Sequence, residues 1–245
     1  MSPMEQTSSR RAIGDVDATT FFSQMALELH GEPNAESTVQ RIAEYARMAV
    51  GCDDAGIMLV HARQQIETAA ATSPRVAQSH DLQIIHNEGP CLDALDGDGA
   101  YMVPETATDP RWVKWGPAVH ELGLLSAISV RLETRDRRYG SLNLYSSEAA
   151  AFSEDDLAVA TIFSRHASVA LAAAHNEDGL QVAVDARKLI GQAQGILMER
   201  FGIDADRAFT FMRRQSQDRN QKLRNIAAWI VDHRADPQAG ISETK

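Results

Sequence analysis

The residues best equipped for chemistry lie together toward the C-terminal end: Arg213-Arg214-Gln215-Ser216-Gln217-Asp218-Arg219-Asn220-Gln221-Lys222, with Arg224 just beyond. Guanidinium and ammonium groups suit phosphate oxygens, and the amides of Gln and Asn both donate and accept, which suits the edges of unpaired bases. Such a stretch recognises a polyanion; it does not make or break bonds. The charge distribution agrees. Residues 183–235 carry ten Lys and Arg against six Asp and Glu, while residues 1–182 carry thirteen against twenty-six, within a net charge of -10. A basic segment on an acidic body assigns the polyanion to the segment.

Three amphipathic helices must position these groups. Val182, Ala186, Leu189, Ala193 and Ile196 form one stripe, flanked by Ile190 and Leu197, and Gly202 ends that helix. Asp204 is placed to cap a second helix that buries Ala208, Phe209, Phe211 and Met212; a third buries Leu223, Ile226, Ala227, Trp229 and Ile230. Lys188, Gln192 and Gln194 on the first helix extend the polar surface. Asn220 has two readings, a base contact or the cap of the third helix, and Ser216 and Gln217 are contacts or helix-end hydrogen bonders. The stripe on the first helix is wide enough to meet a second chain as well as its own bundle. A helix-turn-helix that reads duplex DNA fits the same turn.

Upstream, residues 1–17 are polar without periodicity and are expected to be disordered, as are residues 236–245. Helices are expected from Thr19, where Phe21, Phe22, Met25 and Leu29 share a face, and from Ser37 to Gly51. Ala55–His61 and Ile66–Ala71 read as a hairpin across the turn ARQQ, and Pro74–Asn87 as a helix. A short helix then follows in GPCLDALDGDG, with a brief extended piece over Tyr101–Pro104. Asp109-Pro110 reads as the cap and first turn of a helix through His120. Ile128, Val130 and Leu132 alternate along one strand, and Leu142 and Leu144 along its partner. A closing helix starts at Ser153, and Asn176-Glu177-Asp178-Gly179 is the expected break between domains. Helices plus an antiparallel sheet make an α+β domain over 18–176, followed by an all-α three-helix unit over 180–235.

The function classes are narrowed by what is missing. There is no run of about 18 apolar residues to span a bilayer and no Walker loop, GxSxG or HExxH. A cytoplasmic protein that is not an enzyme and does not meet a membrane is expected. Cys52 and Cys91 make no disulfide framework and no zinc spacing. Cys91, after Gly-Pro and before a helix, has a thiolate that the helix N-terminus would favour, a redox or electrophile sensor; its other reading is a small buried hydrophobe. His86, Tyr101 and His120 are candidates to line a small-molecule pocket, and the cofactor is unknown: haem, a cyclic nucleotide or none.

On Gly191-Gln192-Ala193-Gln194-Gly195-Ile196-Leu197-Met198, Ala208-Phe209 and Ser216 to Arg224, the C-terminal segment resembles the ANTAR family of RNA-binding antitermination domains. Residues 20–175, through EGPCLDAL and YGSLNLYS, are similar to GAF sensor domains. The pair resembles GAF-ANTAR regulators of actinobacterial type. That resemblance implies a homodimer, paired through the closing GAF helix and the first ANTAR helix, which holds paired hairpins in a nascent leader RNA and prevents termination. It implies control by a small molecule or other signal in the GAF-like domain. The RNA contacts expected are Lys188, Gln192, Arg213, Arg214, Ser216, Gln217, Arg219, Asn220, Lys222 and Arg224. Two alternatives are a DNA-binding helix-turn-helix regulator and a redox or small-molecule sensor that acts through protein partners.

Overall fold

Five apolar-rich segments build one antiparallel sheet. The computed structural model describes residues 15–61 and 65–234. Its strands are β1 (Asp54–Val60), β2 (Ile66–Ala71), β3 (Ala100–Val103), β4 (Ser126–Glu133) and β5 (Arg138–Ser146), ordered β2-β1-β5-β4-β3. Both expected hairpins are present, with Val60 opposite Ile66 and Ser126 opposite Ser146. The disorder expected of 1–14 and 236–245, and the turn at 62–64, lie outside the described residues. Residues 15–17, also expected to be disordered, instead open the first helix.

Helices cover both faces of the sheet. On one lie α1 (Asp15–His30), α2 (Ala35–Val50) and the first part of α6 (Glu154–Phe201), around a core that includes Met25, Ile42, Ile57, Ile128, Leu142, Leu144 and Phe163. The other carries α3 (Pro74–His86), α4 (Pro90–Asp96) and α5 (Trp115–Glu121), around Val76, Trp112, Trp115, Val119 and Tyr145. Successive strand residues point to opposite faces, so a sheet covered twice buries both sets. Ser129, Ser141 and Asn143 are accordingly as buried as the leucines beside them. Helix ends follow local chemistry where a local partner exists. The Asn34 side chain accepts from Ser37 N at 2.9 Å to cap α2, and Gly51 ends it at φ 70°.

Two expectations about helices fail for reasons of distance and length. Asp109 does not start α5: its carboxylate binds the Arg111 side chain at 2.9 Å, and the helix begins at Trp115. The groups that need capping, Lys114 N and Trp115 N, donate instead to Glu88 from the α3–α4 loop. The helix stop expected at Asn176–Gly179 is absent, because α6 runs through it unbroken for 48 residues, although the boundary between the two compact units does fall there, after Asn176. One helical glycine costs only about 1 kcal/mol relative to alanine, too little to stop a helix with good formers on both sides. Its first half holds an 18-residue window of mean hydropathy 1.4, long and apolar enough to cross a membrane by length and composition alone. Ala160, Phe163, Ala167 and Leu171 of that half are buried in the core on the sheet.

The chain divides into two compact units, residues 1–176 and 177–245. In the second, the end of α6 packs with α7 (Ala205–Asp218) and α8 (Leu223–Asp232) around Ala193, Leu197, Ala208, Met212, Ile226, Ala227 and Ile230. Asp204 caps α7 as expected, accepting from Arg207 N at 2.8 Å. Phe209 and Phe211, expected in this core, are each 36% exposed. Three of the seven core positions are alanine, so this core is built largely from small side chains.

Candidate functional site

The basic segment folds into the end of α7, a tight turn and the start of α8. Asn220 has φ 49°, the left-handed conformation that asparagine tolerates better than most residues. Gln221 N donates to Ser216 O at 3.0 Å and Asn220 N to Gln217 O at 3.2 Å. These two bonds are those of a Schellman motif with asparagine at its left-handed position. The expected alternative for Asn220, capping α8, is thereby corrected: Asn220 ends α7, and Lys222 occupies the position before α8. Ser216 is committed as well, its hydroxyl donating to Gln221 O at 2.5 Å.

The turn is therefore closed by backbone groups and one hydroxyl, and the charged side chains are left outside. Arg213, Arg214, Gln217, Arg219, Asn220, Lys222 and Arg224 are all exposed. Arg214 lies 3.7 Å from Asp218, both of them well exposed. A pair of that kind contributes at most about 1 kcal/mol, so a phosphate can displace it. Lys188 and Gln192 are exposed one turn apart on α6, while Gln194 is diverted to Ala205 O at 3.1 Å, tying α6 to the start of α7.

Beside the turn lies a feature that counting apolar residues as core missed. Phe211, Gln215 and Arg219 recur at spacings of four, and with Ile226, Trp229 and Ile230 of α8 and Gln221 of the turn they line a cleft of about 280 Å³. Trp229, expected in the core, packs partly against it and also lines this cleft.

In the first unit the expected ligand residues are dispersed. Tyr101 packs edge-on against Trp112 at 5.9 Å, and His120 lies 3.3 Å from Glu105. His86 sits in the last turn of α3, half-buried. Cys91 is fully buried, and burial pushes its thiol up to about 11. This overturns the expectation of a thiolate favoured by the helix N-terminus, since desolvation outweighs the dipole of a seven-residue helix.

What surrounds Cys91 is a buried polar cluster. Gln83 accepts from Cys91 N at 2.9 Å and donates to its sulfur, and Ser129 and Tyr145 lie within 3.8 Å of that sulfur. Next to it His80 contacts Thr68 Oγ1 at 3.1 Å and Asn143 Nδ2 at 3.2 Å. Burial lowers the His80 pKa to about 3, so the ring is neutral. The cluster packs tightly against the sheet: a Cβ on Gly56 would stand 2.7 Å from the His80 ring. Its traces in the sequence are the polar residues Ser129, Ser141 and Asn143 within otherwise apolar strands.

Comparison with known proteins follows this division. The family model described as GAF domain matches residues 32–172, and that described as ANTAR domain matches residues 178–231. Among solved structures, the chain is similar to a free methionine-R-sulfoxide reductase from Neisseria meningitidis in complex with its substrate, with 19% identity over 72% of this chain and 99% of that one and a TM-score of 0.54. It is similar to the GAF domain of a phosphoenolpyruvate-protein phosphotransferase from Coxiella burnetii, with 14% identity over 70% and 99% and a TM-score of 0.56. It also resembles a Stigmatella aurantiaca phytochrome photosensory core module, with 13% identity over 83% and 45% and a TM-score of 0.54. At these identities the likeness shows the fold alone. No curated protein sequence matches the chain.

Proposed function

We propose, on the premise that this chain belongs to the GAF domain family and carries a C-terminal ANTAR domain, that it is a signal-responsive regulator that binds paired hairpins in nascent leader RNA and prevents termination. In this reading residues 18–176 sense and residues 180–235 bind RNA, the protein works in the cytoplasm, and it is not an enzyme. One observation carries the reading. The segment matched as ANTAR is also the part of the chain with net positive charge, and its cations and amides stand exposed on a turn that needs none of them for closure.

Hairpin loops are read by stacking and by hydrogen bonds to exposed base edges, while phosphate contacts set register. Arg213, Arg214, Arg219, Lys222 and Arg224 are assigned to phosphates, and Gln217 and Asn220 to base edges. Ser216 holds the turn that presents them, and Lys188 and Gln192 extend the surface along α6. Pairing of two copies along α6 is supported by apolar side chains left exposed on it, among them Ile162, Val169, Leu180 and Val184. A ligand or other signal in the GAF domain would act on this assembly.

The test is a gel-shift titration of the full chain with a two-hairpin leader RNA and with duplex DNA of the same sequence. Preference for the RNA by at least about tenfold, or 1.4 kcal/mol, is expected. Equal affinity would return the turn to a helix-turn-helix that reads DNA.

A further inference from the structure

The cleft beside the turn has a composition that packing does not explain. Phe211 is an aromatic residue 36% exposed, outside the small core of its own unit. It follows one line with Gln215 on α7 and Arg219, the C-cap residue just beyond it, and all three line the same cavity as Trp229. Ile226 and Ile230, 5% and 8% exposed, form its inner side. The Trp229 ring is backed by His233, stacked at 4.5 Å with 19° between the planes. Gln221, also on the cleft, has its backbone fixed on both sides: its N–H donates to Ser216 O and its carbonyl accepts from Ser216 Oγ.

We infer that this cleft holds one unpaired nucleobase of the bound RNA, with Phe211 as a stacking surface and the Gln215 and Gln221 amides on the base edge. The inference rests on the RNA-binding reading above and adds the place where a base is read. Size and chemistry both favour this occupant. A volume of about 280 Å³ falls just under the usual range for drug-sized ligands, about 300–1,000 Å³, and suits a single base. Each base has a flat apolar face and a polar edge. The cleft offers aromatic surface for the first and groups that donate and accept for the second. Arg219 at its rim, with Arg213, Arg214 and Lys222 exposed on the same turn, supplies positive charge for the phosphates on either side of the inserted base. Because the turn fixes the Gln221 backbone before RNA arrives, ordering on binding is confined to its side chain.

The inference is tested with the full chain and three RNA probes that share one stem: one closed by a randomised loop, one by a loop of abasic ribose phosphates, and one continued as a blunt duplex. The wild-type protein is expected to bind the base-bearing loop most tightly. Phe211→Ala is expected to weaken that binding by about 5- to 150-fold, the range for loss of one base stack, and to leave the abasic loop unchanged. Phe211→Trp restores a stacking surface and keeps affinity near wild type, whereas Arg213→Ala weakens both looped probes alike. A melting curve of Phe211→Ala that superimposes on wild type shows that the unit still folds; if it does not, Gln215→Ala decides by the same contrast between probes. Equal loss on base-bearing and abasic loops, or no loss on either, overturns the cleft as a base site while hairpin binding stands. Failure of the wild-type protein to distinguish any looped probe from the duplex overturns both.

Discussion

Two polar regions of this molecule make opposite use of similar groups. In the sensor interior, Gln83, His80, Asn143, Ser129 and Tyr145 are buried and bond to Cys91, to one another and to neighbouring hydroxyls, with Asn143 Oδ1 alone of their polar atoms left without a partner. At the α7–α8 turn, arginines, lysine and amides stand in water, and backbone bonds close the turn. A buried network bonded mostly within the protein specifies the fold and offers a ligand little. A turn that closes without its charged side chains leaves them free to bind. The difference teaches that polarity marks a site only together with what the polar groups are already bonded to.

Breaking the interior should do the greatest damage. Gln83→Ala strands the buried Cys91 N–H and opens a cavity, so urea unfolding should show a loss of about 2–4 kcal/mol. The titration of His80 comes next. Its folded pKa, lowered to about 3 from 6.5 in the unfolded chain, means that the unfolded chain binds a proton that the native interior refuses. The contribution of neutral His80 is fully present above pH 6.5 and is lost as pH falls toward 3. The slope is at most about 1.4 kcal/mol per pH unit, so unfolding at pH 5 should show a deficit of roughly 2 kcal/mol relative to pH 7, and His80→Gln should flatten it. At the turn the largest structural effect is smaller. Asn220→Val forces a branched residue into the left-handed region and should lower the stability of the second unit by about 1–2 kcal/mol, while Asn220→Gly should cost almost nothing; thermal unfolding separates the two.

Features set by neighbouring residues were legible in the sequence. The hairpins, Gly51, Asp204 and Gly202 all behave as local patterning predicts, because the groups that set each of them lie close together in the chain. Features set across the fold were not. The start of α5 depends on Glu88, which lies 27 residues before Trp115. Whether Ser129 and Asn143 face water or protein depends on helices packed from elsewhere in the chain. Of the candidate site, the exposed cations were readable as a charge run, but the aromatic cleft was not. Phe211 has helical spacing suited to a core, yet it stays outside the small cluster that the three helices form and is 36% exposed. The continuity of α6 was missed because Asn176–Gly179 resembles a helix stop, although no single residue in it is strong enough to be one.

The measurement that bears most directly on the turn as the RNA-binding surface is the salt dependence of hairpin RNA affinity, for wild type and for Arg213→Ala and Lys222→Ala. Each substitution should lower the slope of log affinity against log salt by about 0.7–1 and leave the unfolding free energy from urea titration within about 0.5 kcal/mol of wild type. An unchanged slope at unchanged stability would contradict the assignment, because it would mean that the exposed cations of the turn meet no phosphate.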